Sequence, residues 1–202
     1  MSELSGTKLR IVDCSIELFA HNGYGGVSVR DIAAAVGIKD ASIYSHFASK
    51  GEILTTIYNM MREVYLVDNP DAEALDRILV QCSPLRFTEI GFQRFKKRLS
   101  DPKQANIFLI LQREKYNDSR VASVWREYLT YCIEYMAMVF SKMIEKGWIR
   151  SLDTRQMGAS YMLAEMMLRE EYAHCLALGQ STAPTEKRIK EHNEFFLGLV
   201  AQ

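Results

Sequence analysis

The chain has four prolines in 202 residues, at 70, 84, 102 and 184, and each falls between stretches whose apolar residues recur three and four apart. A proline inside a helix removes a backbone hydrogen bond and collides with the preceding turn. A chain with this spacing and with its prolines confined to the breaks is therefore set up to be helical nearly throughout. Strand signals are weak: GGVSVRD holds a β-branched pair but runs straight into a helix-like pattern, and no tight turn is flanked by alternating apolar residues. The expected fold class is all-α.

The spacing predicts a first helix from about Thr7 to His21, with Leu9, Val12, Ile16 and Phe19 on one face and Asn22-Gly23 as a left-handed cap. A second follows the N-cap Ser28, turns Val29, Ile32, Ala33 and Val36 inward and stops at Gly37. A third, very short helix is expected at about 41–47. Ser49-Lys50-Gly51-Glu52 reads as a capping box that opens a long fourth helix carrying Ile53, Leu54, Ile57, Tyr58, Met61 and Tyr65. Further helices are expected at about 72–82, 86–99, 103–116, 119–146, 153–179 and 185–200.

Hydrophobic residues make up 48% of the chain and charged residues 25%, the balance of a folded soluble protein. The N-terminus lacks the basic start and apolar stretch of a secretory leader, and no apolar run nears the roughly 18 residues that span a bilayer. Four scattered cysteines, Cys14, Cys82, Cys132 and Cys175, form no C-x-x-C pair, which fits a reducing cytoplasm without zinc or disulfides. No cofactor and no membrane partner is expected. The formal net charge is zero, and residues 1–50 balance five basic against five acidic groups. Any attraction to nucleic acid must then be local, with weak non-specific binding and a modest salt dependence.

The stretch GIKDASIYSHF, 37–47, crowds hydroxyls and hydrogen-bonding rings onto the start of a helix where a packing helix would carry leucines. A helix, a glycine-containing turn of about four residues and a second short helix make a helix-turn-helix, whose second helix offers its first residues to base edges in the major groove. Ala41 and Ser42 permit close approach, Ser42 and Ser45 can hydrogen-bond bases or phosphates, and Tyr44 and His46 can reach the sugar-phosphate backbone. Ile43 and Phe47, four apart, would face back onto Ile32 and Val36.

SVRDIAAAVGIKDASIYSHFASKGEIL, 28–54, together with IVDCSIELFAHNGYGGVSV upstream, resembles the DNA-binding signature of the tetracycline-repressor (TetR) family over residues about 9 to 54. The resemblance implies an N-terminal three-helix helix-turn-helix DNA-binding domain, 1–50. It also implies a larger C-terminal helical domain, 51–202, that binds a small effector and dimerises. It places Ser28 as a cap against a phosphate and Arg30 near the backbone or groove edge. Lys39, Ala41, Ser42 and Ser45 become the reading face, with Tyr44, His46 and Lys50 on phosphates. Asp40 departs from the basic residue common there: an acid either accepts from cytosine or repels phosphate.

Beyond residue 55 the aromatics are dense, and Tyr65, Phe92, Phe95, Phe108, Tyr116, Trp125 and Tyr128 are the candidate lining of a cavity for an apolar or aromatic effector. Residues 153–179 are apolar nearly all round, so with 185–200 they are expected to form a homodimer interface. Segment 86–103 holds six basic residues against two acids, read as a solvated face over Phe87, Phe92 and Phe95. The function expected is a dimeric one-component transcriptional regulator, a repressor, with a double-stranded palindromic operator and a small-molecule effector as partners. The alternatives are a helical metalloenzyme, for which Glu171-x-x-His174 supplies only one of the two pairs a di-iron bundle needs, and a module that turns its N-terminal helices on another protein. No hydrolase elbow, phosphate loop or H-E-x-x-H occurs, so no enzyme activity is expected.

Overall fold

A computed structural model of the chain describes residues 6–67 and 69–201, with the backbone alone for 63–67. Ten α-helices follow one another among the described residues: α1 Gly6–Asn22, α2 Val29–Val36, α3 Asp40–Tyr44, α4 Lys50–Val67, α5 Ala72–Gln81, α6 Pro84–Leu99, α7 Pro102–Glu114, α8 Ser119–Glu145, α9 Thr154–Ala177 and α10 Ala183–Val200. The all-α fold is as expected from the spacing. Packing divides the chain into two compact units, Met1–Val67 with Ser100–Arg126, and Asp68–Leu99 with Glu127–Gln202.

In the first unit α1 packs against α2, α4 and α7, and α2 against α3. Its core is Ile11, Val12, Ile16, Phe19, Ile32, Ala33, Val36, Ile43, Phe47, Ile53, Leu54, Ile57 and Tyr58. Leu9, expected inside, is only half-buried, and Ile11 takes the interior position beside Val12. Gly23 and Gly37 end α1 and α2 with φ of 74° and 76°, a left-handed conformation that costs glycine little.

The third helix is shorter than expected, closing at Tyr44. Ser45 donates its hydroxyl to the Ser42 carbonyl, and the His46 and Phe47 amides both bond to the Ile43 carbonyl, so the backbone leaves the helix in a tight turn. The capping box of α4 is displaced by one residue: Ser49 Oγ accepts from the Glu52 amide, but Glu52 reaches back to the Ala48 amide at 2.6 Å. The prolines mark helix starts rather than gaps, since Pro84 and Pro102 are the first residues of α6 and α7, where a missing N–H and a fixed φ cost nothing.

In the second unit α10 packs against α6 and α9, and α5 against α6. Phe140, Tyr161 and Phe196 meet ring to ring, with centroids 5.3 to 5.8 Å apart, and the buried Tyr161 hydroxyl donates to Asn193 Oδ1 at 2.8 Å. α8 and α9 close on each other at Gly158, where an added Cβ would lie 2.6 Å from the Ile133 carbonyl oxygen and 3.0 Å from the Ala137 amide nitrogen. Backbone atoms cannot move aside as a flexible side chain can. Gly→Ala inside a helix ordinarily stabilises by about 1 kcal/mol, so the sign of this substitution is diagnostic: Gly158→Ala is expected to lower stability by about 1–3 kcal/mol in urea denaturation.

Candidate nucleic-acid interface

The interface is built outward from the α2 cap. Ser28 Oγ accepts from the Asp31 amide at 3.2 Å, while the Ser28 amide and hydroxyl both donate to Asp31 Oδ2 at 2.7 Å. These bonds to Ser28 hold the Asp31 carboxyl below its usual range. Gly37 then turns the chain, its N–H bonded to the Ala33 and Ala34 carbonyls, and Lys39 is the N-cap of α3.

Ile43 and Phe47 are buried, which rolls the opposite side of α3 outward. Ala41 and Ser45 are exposed, Tyr44 is 57% exposed, and Ser42 and His46 are half-buried at the edges. Lys39 and Arg30 are exposed on the approach to this face. Because the Ser45 proton is held by the Ser42 carbonyl, Ser45 offers its lone pairs outward. Arg30 Nε lies 3.3 Å from Asp40 Oδ2, so the acid that departs from the family pattern is paired with a base of the preceding helix. Lys50, expected at a phosphate, is taken by the fold. Its ammonium donates to the Tyr24 and Val27 carbonyls at 2.8 and 2.6 Å and sits 4.1 Å from the Tyr24 ring centroid, pinning the α1–α2 connection.

Residues far along the chain, which spacing alone did not single out, hold this head. Arg113 Nη1 donates to the Ala20 carbonyl at 3.2 Å, a cation at the C-terminus of α1. The buried Glu114 carboxylate accepts from the Tyr24 amide at 3.1 Å. Arg120 donates to the Gly51 carbonyl at 3.1 Å and to Asp118 Oδ2 at 2.5 Å. Lys103 pairs with Asp13 at 2.6 Å.

The aromatic candidates divide between the units. Phe108 is buried and Trp125 half-buried in the first, with the Lys115 ammonium 4.6 Å from the Trp125 ring centroid. Tyr116 is 85% exposed just past the end of α7 and so does not line an interior space. The Tyr65 side chain lies outside the described residues. In the second unit Phe92, Phe95 and Tyr128 are buried. Phe92 and Phe95 meet Tyr172 edge-on at 5.4 and 6.1 Å, the Arg169 guanidinium lies 5.2 Å from the Phe95 centroid, and Tyr128 hydrogen-bonds Cys132, whose thiol burial pushes up to about 11. The basic segment is partly paired: Lys96 meets Glu186 at 2.8 Å, and Arg86 meets Glu89 at 3.0 Å. Glu171, of the E-x-x-H spacing, bonds Thr185 and Arg188. Among the described residues no group of three ligating side chains is placed to hold a metal, and no helix is long and apolar enough to cross a membrane.

A short helix carried on a small core with its polar face outward defines a helix-turn-helix domain. Residues 11–57 match the model of the bacterial regulatory proteins of the tetR family. Over 46 residues the chain is 50% identical to the biofilm operon icaADBC HTH-type negative transcriptional regulator IcaR of Staphylococcus aureus (strain Newman), a match spanning 23% of this chain and about a quarter, 25%, of that relative. The fold is that of a TetR transcription regulator from Haloarcula marismortui, with a TM-score of 0.64 at 15% identity over 97% of this chain and 98% of that one. It is also that of SmeT in its complex with triclosan, with a TM-score of 0.67 at 14% identity over 98% and 93%. Residues 11–57 are thus a DNA-binding domain of the tetR type, and the chain spans about a quarter of the length of the curated relatives it matches.

The Arg120 bond also holds the Asp118 carboxyl below the usual carboxylate range. A carboxyl lowered in the folded state stabilises fully above its ordinary pKa and loses that contribution as pH falls through the lowered value. Wild type and Asp118→Asn are expected to differ by about 0.5–1 kcal/mol at neutral pH, given that nearly half of the Arg120 side chain is in solvent. The gap should close in acid; a gap independent of pH in thermal unfolding contradicts the assignment.

Proposed function

We propose that this chain is a dimeric one-component transcriptional regulator, a repressor, that binds a palindromic duplex operator through α3 and responds to a small, largely apolar or aromatic effector. The observation that carries the reading is the outward polar face of α3, with Ala41, Ser42, Tyr44, Ser45 and His46 presented by the buried Ile43 and Phe47. Ala41, Ser42 and Ser45 read base edges with Lys39 alongside, and Tyr44 and His46 hold the backbone. Ser28 and Arg30 meet phosphates at the groove edge, with Arg30 exchanging Asp40 for DNA. Lys50 acts chiefly by fixing the loop behind α2. Residues 1–50 are the reading part and 51–202 the effector and dimer part, working in the cytoplasm where the DNA is. The negative regulation by IcaR and the triclosan complex of SmeT support repression and an aromatic effector. Phe92, Phe95 and Tyr128 are the effector contacts this reading retains.

Leu163, Met167 and Leu176 of α9 and Phe195 and Leu199 of α10 are large apolar side chains left in solvent, Met167 at 66% and Phe195 at 68%. A second copy covers them, α9 and α10 meeting their equivalents in a four-helix arrangement. Two α3 helices then enter successive major grooves about one turn (~34 Å) apart. The chain passes between the packing units at 67–68, 99–100 and 126–127, and effector binding tilts α4 and changes the spacing of the heads. DNA and effector then oppose each other by a coupling of about 1–3 kcal/mol.

Tyr44→Ala is expected to weaken duplex binding about equally across sequences, and Lys39→Ala to reduce the slope of affinity against salt by about one unit. Ser42→Ala should instead shift preference at particular base pairs. Unchanged affinity of a folded Tyr44→Ala protein in mobility-shift titrations would remove α3 from the DNA. Phe195→Glu together with Met167→Glu is expected to give a monomer in sedimentation equilibrium, and a dimer that persists places the interface elsewhere.

A further inference from the structure

The second unit contains a buried ion pair that the proposed regulator leaves without a task. Glu165 on α9 is 0% exposed. Its Oε1 accepts both from Arg169 Nε at 3.0 Å and from Arg169 Nη2 at 2.8 Å, while its Oε2 is buried with no hydrogen-bond partner. A fork from one guanidinium usually spreads over both oxygens of a carboxylate. Here it falls on one, and the other carries the full cost of an unsatisfied buried acceptor. A buried ion pair is seldom more stable than apolar residues of the same size. Stability alone does not explain a pair set in a helical core and satisfied on one side.

Its surroundings are aromatic. Arg169 lies over Phe95, whose ring stacks near Phe92, and Tyr172 meets both edge-on. Tyr128 hydrogen-bonds Cys132, and both feel the Arg169 charge. Gly91 on α6 lies alongside, with Arg169 Nη2 3.9 Å from where a Cβ would stand, an ordinary contact distance. Phe92, Tyr128 and Tyr172 keep 6% of their surface, Cys132 8% and the Arg169 side chain 16%, while Glu165 keeps none.

We infer that Glu165 is the polar anchor of the effector site, and that the effector is a neutral aromatic molecule bearing a hydroxyl or N–H that donates to Glu165 Oε2 while its ring packs among Phe92, Phe95, Tyr128 and Tyr172. The charges select the class. A carboxylate would face the Glu165 carboxylate. An ammonium would face Arg169, with the positive charge of Arg98 acting on the Cys132 side. A neutral donor meets neither penalty and supplies the hydrogen bond that Oε2 lacks. This rests on the reading of the second unit as the effector domain.

The test titrates the full chain by calorimetry at neutral pH with 2-naphthol and with 2-methoxynaphthalene, which keeps the ring system and oxygen but cannot donate. The expected result is about ten- to hundred-fold tighter binding of 2-naphthol, the discrimination shown by a site built to bond a donor. Glu165→Leu combined with Arg169→Leu removes the pair together rather than stranding one charge, so the fold is kept, as checked by circular dichroism. In this protein the two probes should bind alike. Equal binding of both probes to wild type overturns the inference, as does failure of 2-naphthol to bind or a preference that survives in the double variant. Duplex binding by the same preparation separates the two readings: DNA bound without probe discrimination sinks this inference alone, and probe discrimination without DNA binding sinks the regulator.

Discussion

A helix of five residues has no stability of its own, because nucleation fixes more backbone than its few hydrogen bonds return. α3 exists because Ile43 and Phe47 are buried against the core formed by α1 and α2. Each buried side chain of this size is worth about 1.5–3 kcal/mol, enough to hold so short an element in one orientation. That burial also decides which side chains point outward. Ala41, Tyr44 and Ser45 face solvent because Ile43 and Phe47 do not, and everything proposed about DNA depends on this one packing contact.

Polar bonds fix where the head stands. Lys50 and Glu114 both act on residue 24, one through its carbonyl and one through its amide, while Arg113 and Arg120 reach the end of α1 and the start of α4. Each is a charged group satisfying a backbone group at a helix end or loop, where the chain has no internal partner to offer. Positive charge spent this way is withdrawn from the DNA face. With Arg30 also held by Asp40, a head whose formal charges cancel relies on shape and a few exposed donors, a basis for selectivity rather than for general affinity.

Most of the helical architecture was legible from local chemistry, because helix ends are local events. Ser28, Gly23 and Gly37 announce their roles, and the prolines mark boundaries to within two residues. Finer placements were not legible where distant groups decide them. The spacing cannot choose between Leu9 and Ile11 until α7 covers one side of α1. Lys50 looks like a phosphate ligand until the Tyr24 and Val27 carbonyls, more than twenty residues upstream, are seen to take its ammonium. Tyr116 resembles its aromatic neighbours in sequence but follows the end of α7 into solvent. The i, i+4 pair Glu165–Arg169 is visible in the sequence as an ordinary surface pair, and only its burial among aromatic rings makes it chemically unusual.

The most direct measurement is selection of the purified protein against a random duplex library at moderate salt, followed by sequencing of the bound fraction. A regulator reading DNA through paired α3 helices yields a two-fold symmetric motif with half-sites whose centres lie about one helical turn, ~34 Å, apart. Recovery of no motif, or of one without two-fold symmetry, would contradict the assignment of α3 as the reading element of a dimer.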